Sequence, residues 1–217
     1  MTALAAQNSR SLRGQFRINV VSNIFYYAAS VLLSLWFVPY LMRRIGVESY
    51  GMVPLISSIT AYLALVTLSL NSSYGRHFAL ELAKGNYQEA NALFNTALLT
   101  TALLLGVATI AAFGFAPFLG KVFTLPAGRE GEVLVLYWCA VAAFACSTLE
   151  ANFGVSMWAL NRFDLRNIVT FLGRLSHVGL VVLLFQLTQQ PRLWHVGVGM
   201  LLAACVTLVC STAIWRR

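Results

Sequence analysis

The sequence predicts an all-α, polytopic membrane helix bundle of about six transmembrane helices. Composition is the first reason. Of 217 residues, 59% are hydrophobic and 10% are charged, against roughly 25% charged in a typical soluble domain. Mean hydropathy is +0.75, more apolar surface than a soluble globule can solvate. Patterning is the second reason. The chain is a series of apolar runs, each near the length of about 20 residues that crosses a hydrocarbon core as a helix. Short polar breaks rich in Gly, Pro and Asn separate them.

Residues 1–17 read as a basic lead carrying Arg10, Arg13 and Arg17. The first span covers 18–41 and holds Asn19, Asn23 and Pro39. It is too long for the apolar core of a cleavable signal and ends at Arg43-Arg44, so it reads as a helix that stays. A polar turn leads to the second span, 50–70, with Pro54 near its start. Phe78 and Leu82 then recur at near-helical spacing among Arg76, His77, Glu81 and Lys84. This predicts a short separate amphipathic helix broken at Gly85-Asn86. The remaining spans are 93–115, 133–160, 168–187 and 196–214. Together, 18–217 form one transmembrane unit.

Fifteen Lys and Arg against seven Asp and Glu give a net charge of +8. In a soluble protein that excess suggests nucleic-acid binding. Here the cations flank apolar spans, so no nucleic acid is expected. With the N-terminus inside, the inner segments hold nine cations and the outer loops five. That bias predicts both termini in the cytoplasm. The four cysteines lie inside apolar runs without CxxC or Cys/His spacing. They read as small buried residues, with no disulfide framework and no metal site.

Polar groups within the spans are the candidates for function. Arg174 is the sharpest, since a charge at membrane depth costs roughly 2.5 to 3.5 kcal/mol on insertion scales. Its functional reading is a cation lining a polar cavity and attracting an anionic substrate group. The alternatives are snorkelling to the interface or a structural ion pair with Glu150 on the preceding span. His177 follows one turn along the same face. Glu150 and His177 are candidates for a coupling proton or sodium ion; the competing roles are neutralising Arg174 and a simple hydrogen bond. Asn19 and Asn23 share a face near Arg17. They read either as a cavity stripe or as interhelical bonds worth roughly 0.6 to 2 kcal/mol each. Arg76 and His77 are candidates for headgroup contacts or interfacial anchors. No P-loop, HExxH or Ser/His/Asp arrangement is present. The expectation is therefore a non-enzyme without a cofactor.

Several segments together resemble a family. They are the turn from Ile45 to Gly51 (IGVESYG), Arg76 after the second span, and Lys84 to Ala90 (KGNYQEA) leading into the third. Their order over roughly residues 10 to 100, after a polar lead and an Asn-bearing first helix, is similar to the oligosaccharide flippases. These belong to the multidrug/oligosaccharidyl-lipid/polysaccharide exporter superfamily. The resemblance implies a transporter lobe of the bacterial inner membrane. Its cargo would be a polyprenyl-diphosphate-linked oligosaccharide for O-antigen or other surface polysaccharide. It implies alternating access between two lobes around a cationic cavity in which Arg174 and Arg17 offset the diphosphate charge; Asn19, Asn23 and Arg76 are the further candidates for binding substrate. Family members usually have twelve to fourteen helices, and about six are seen here. The chain is then a truncated piece, or it pairs with a second lobe. The alternatives are a non-transporting component of glycan assembly, in contact with glycan-assembly proteins, and a small-molecule exporter lobe of the same superfamily. An Arg-lined cavity argues against cationic cargo.

Overall fold

The structure is a computed structural model that describes the backbone of residues 2–215; the side chains of 2–13, 66, 68–72 and 156 lie outside the described residues. Every regular element among the described residues is helical: α1 (Thr2–Ile45), α2 (Val47–Ala83), α3 (Tyr87–Phe115), a 3₁₀ turn (Ala116–Phe118), the single-turn α4 (Leu119–Val122), α5 (Glu130–Ala159), α6 (Phe163–Thr188) and α7 (Leu193–Trp215). Among the described residues, five helices are long and apolar enough to cross a membrane: α1 from Gly14, α3 running on through α4, α5, α6 and α7; α2, which holds the expected second span 50–70, is not among them. The protein is a multi-pass membrane helix bundle.

Lipid explains the architecture. Hydrocarbon offers no hydrogen-bond partners, so each crossing segment satisfies its own backbone as a helix. The outward side chains stay apolar: Ile24, Phe25, Leu32 and Leu35 of α1 are all exposed. Helix breaks fall where the backbone turns left-handed. Gly46 (φ +88°) separates α1 from α2 and Gly85 (φ +76°) separates α2 from α3. A residue without Cβ takes these angles at little steric cost. Asn161, also left-handed at φ +55°, lies in the middle of the α5–α6 connection.

The helices differ from the sequence expectation in three places. Residues 71–83 are not a separate amphipathic helix; they continue α2 without a break to Ala83. Nothing between Leu70 and Ala83 removes a backbone donor, so the ladder runs on until Gly85. The helix α3 begins at Tyr87, not near 93, with Glu89 in its first turn, where an acid suits the helix dipole. The lead is helical too, making α1 44 residues long, or about 66 Å. Arg10, Arg13, Arg216 and Arg217 lie outside the described side chains.

At the centre, α5 packs most closely against α7 and also against α2 and α3. Small residues permit the α5–α7 approach. A Cβ on Gly197 would lie 3.0 Å from the Leu136 Cα and 3.0 Å from the Cys139 Cβ. Close backbone approach replaces the hydrophobic driving force that lipid removes. Val133, Leu136 and Tyr137 of α5 and Val196 of α7 are wholly or almost wholly buried in this core. Polar bonds tie the same helices. Tyr137 donates to the Ala112 carbonyl (2.9 Å). The Leu193 N–H at the start of α7 donates to Glu132 Oε2 (2.8 Å). Asn152, fully buried, donates to Thr101 Oγ1 on α3 (3.2 Å).

The helix α1 lies against α6, and α2 against α5. Near their common turn, α1 and α2 share a core of Leu41, Ile45, Met52 and Ile56. Away from that turn each follows a different partner.

Candidate substrate cavity

Arg174 occupies the midpoint of α6, about 17 Å along the axis from Phe163. An arginine side chain is far too short to reach the start of the helix by snorkelling from there. It is exposed on the bundle. It lines two cavities at once. The first, of about 480 Å³, is walled mainly by α1 through Tyr27, Ser30, Val31, Leu35 and Val38. The second, of about 490 Å³, lies between α2, α5, α6 and α7. Its walls carry Ser57 and Thr60 of α2, Ser147 of α5, Thr170 and His177 of α6, and Thr207 of α7, set among alanines.

Hydrogen-bond accounting gives the second cavity a definite chemistry. The Ser57 hydroxyl donates to the Val53 carbonyl (2.8 Å) and that of Thr60 to Ser57 (2.9 Å). Thr170 donates to Arg166 (2.9 Å) and Thr207 to Ala204 (2.9 Å). Each of these four hydroxyls has one proton, and each spends it on its own helix. These oxygens therefore present lone pairs to a ligand. The guanidinium of Arg174, with five N–H donors and no acceptor, supplies the donors.

Glu150 does not neutralise Arg174. Its Oε1 accepts from the Ser211 hydroxyl on α7 (2.7 Å). The neighbouring arginine is Arg166: a Cβ on Gly154 would lie 3.2 Å from Arg166 Nη1 and 3.4 Å from Glu150 Oε1. Equal depth on adjacent helices does not fix rotation about the helix axis, and rotation turns Glu150 toward α7. Among the described residues the ion pairs are Lys84–Glu81 and Arg162–Asp164, so Arg174 has no acidic partner there.

His177 joins Arg174 in the second cavity. Its ring meets Phe37 of α1 edge-on at 5.5 Å, and its Nε2 is buried without a hydrogen-bond partner. Asn19 and Asn23 line neither cavity. They form a seam with the start of α6. Asn19 Nδ2 donates to the Asn161 carbonyl (2.9 Å), and Asn23 Oδ1 accepts from Asn167 Nδ2 (2.9 Å). Gln15 donates to Asn19 Oδ1 and to Asp164 Oδ1, both at 3.1 Å. The left-handed Asn161 turns its carbonyl toward α1. Arg17 is exposed on α1 and Arg76 on α2, and neither lines these cavities. Of the candidates read from sequence, the structure brings Arg174 and His177 together. The hydroxyl wall had no place among them. Its trace in the sequence is Ser57, Thr60, Ala61 and Ala64, small residues at helical spacing on one face of α2.

The fold and cavity define a class: a polytopic membrane helix bundle with an unpaired cation between an apolar groove and a hydroxyl-lined one. No family profile matches the chain, and no solved structure matches it. It is similar to an uncharacterized membrane protein, EpsK, of Bacillus subtilis (strain 168), 26% identical over 203 residues. The match covers 94% of this chain and 40% of that relative, so the chain spans about two fifths of the relative's length.

Proposed function

We propose that this chain is one lobe of an inner-membrane transporter that flips a polyprenyl-diphosphate-linked oligosaccharide for surface polysaccharide assembly. The observation that carries this reading is the placement of Arg174 at the junction of two unlike cavities. An amphiphile with an anionic middle fits such a junction. Its diphosphate takes the guanidinium donors, which suit phosphate geometry. Sugar hydroxyls donate to the lone pairs of Ser57, Thr60, Thr170 and Thr207. The first prenyl units lie in the groove along α1, and the rest of the carrier stays in the bilayer. The resemblance over residues 10 to 100 points the same way. The second lobe needed for alternating access lies in the portion of a longer protein, or in a partner, that completes the pair. Both termini of this lobe face the cytoplasm in this reading.

The test uses the full-length protein in vesicles with a fluorescent-sugar polyprenyl diphosphate. Flipping is read as protection from a membrane-impermeant quencher. Losing hydrogen bonds to a charged group removes about 1.5 to 3 kcal/mol, so Arg174→Ala should slow flipping about tenfold or more, with Arg174→Lys intermediate. An unchanged rate for Arg174→Ala, at equal protein level, would overturn the reading. Normal folding with no flipping by the wild type would favour a non-transporting component. Coupling is proposed at Glu150 or His177. Glu150→Gln keeps an acceptor for Ser211, so loss of ion dependence without loss of folded protein would mark Glu150 as the coupling site. His177→Gln with the same result would mark His177.

A further inference from the structure

We propose that a separate cavity between α2 and α3 is a lateral binding site for an anionic glycerophospholipid. The cavity measures about 250 Å³; Ser73, Tyr74 and His77 of α2 face Leu93, Thr96 and Thr100 of α3 across it. The Tyr74 hydroxyl is buried and has no hydrogen-bond partner among the described residues. A buried O–H that has given up water and gained nothing is a cost to the fold. A ligand oxygen seated in the cavity removes that cost.

The hydroxyls on the α3 side are already engaged. Thr96 donates to the Ala92 carbonyl (2.9 Å) and Thr100 to that of Thr96 (2.8 Å), while Thr101 is held by Asn152. Tyr74 is a buried donor without a partner among the described residues, so the α2 wall calls for an acceptor. Position selects the kind of molecule. Ser73 and His77 lie about 9 to 15 Å along the axis from the end of α2 at Ala83. In this proposal Ala83 sits at the membrane surface, which sets the cavity at the depth of a lipid's phosphate and ester oxygens. The sign of the charge follows from Arg76, which is exposed, adjoins His77 in the chain and lies outside the cavity lining itself. Lys84, the next cation along, is already paired with Glu81 at 2.6 Å. In the bound arrangement Arg76 holds the phosphate, and Tyr74 donates to an ester or phosphate oxygen. The acyl chains leave past Leu93 into the bilayer. No part of this site is shared with the Arg174 cavities, so the two readings stand or fall separately.

The experiment is native mass spectrometry of the full-length protein released from micelles doped equally with phosphatidylglycerol and phosphatidylcholine. Wild-type protein should retain phosphatidylglycerol in preference. Tyr74→Phe removes one hydrogen bond and should cut that retention about fivefold. Thr100→Leu, which fills the cavity from the α3 side, should abolish it, and Arg174→Ala should leave it intact. Equal retention by Tyr74→Phe and wild type would overturn the proposal, as would no preference between the two lipids. Full displacement of the lipid by inorganic phosphate would also overturn it, showing a site for a free anion. Retention lost in Arg174→Ala but kept in Tyr74→Phe would place the lipid in the other cavities and overturn it too.

Discussion

The α1–α6 seam and the Arg174 junction both put polar groups within long apolar helices, and they use them oppositely. In the seam, Gln15, Asn19 and Asn23 find Asp164, Asn161 and Asn167. The groups are mostly neutral amides, they are bonded to each other, and they hold one helix on the next. At the junction, a full charge stands without an acid, next to hydroxyls whose protons are spent and a histidine nitrogen with no partner. In a bilayer the second arrangement is the costlier, and its groups are free to meet a ligand. In this pair of regions, bonded polar groups hold helix on helix, and the unpaired Arg174 and His177 mark the cavity.

The largest expected effect comes from the packing that both regions depend on. Gly197→Leu would drive a side chain into the α5 backbone at Leu136. Overpacking costs typically 1 to 3 kcal/mol even for small insertions, so the folded fraction in detergent should fall sharply. Gly179→Leu is the control, because nothing lies within 4 Å of a Cβ there. If both substitutions were equally harmless, the α5–α7 approach would not be the core of the fold. Arg174→Ala should separate function from stability. Flipping should drop about tenfold or more, while the melting temperature holds or rises because an unpaired cation has left the bilayer. A fall in melting temperature matching the fall in rate would recast Arg174 as structural.

The seam should behave the other way. Asn19→Leu removes the bond to Asn161 and should cost about 1 kcal/mol of stability, measured by thermal denaturation in lipid nanodiscs. Flipping per folded molecule should be nearly unchanged. A large loss of flipping with no loss of stability would return Asn19 to the cavity-stripe role weighed from the sequence.

The contrast also shows what a sequence of this kind reveals. The bundle was legible because lipid permits so few solutions: an apolar run of sufficient length must be a helix. Arg174 and His177 were legible as depth, since charge and imidazole inside an apolar run stand out. Partners were not. Asn19 could be placed on a face of α1, but its bond to Asn161 depends on which helix that face meets. An ion pair of Glu150 with Arg174 is readable from their places on adjacent spans, yet the rotation of α5 directs Glu150 to Ser211. The end of α2 is hidden for a related reason: the apolar run stops near 70, while backbone hydrogen bonding carries on to Ala83 and Gly85 permits the turn.

The smallest effect belongs to a satisfied polar group in water. Glu81, in the last turn of α2, accepts from Lys84 Nζ at 2.6 Å and from Asn86 Nδ2 at 3.2 Å. The Lys84 bond, with help from Asn86, holds its carboxyl below the usual carboxylate range. A carboxyl depressed in the folded state contributes stability above its unfolded pKa, and loses it as the pH falls through the lower, folded value. Wild type should therefore exceed Glu81→Gln in melting temperature at neutral pH, and the gap should close in acid. The gap should be small and should shrink in high salt, because the pair is solvent-screened. A gap that persisted in acid would show that the 84–86 turn is held by the shape of residue 81 and not by its charge. The division between bonded groups that build and unbonded groups that bind would then rest, at this end of the bundle, on hydrogen-bond geometry alone.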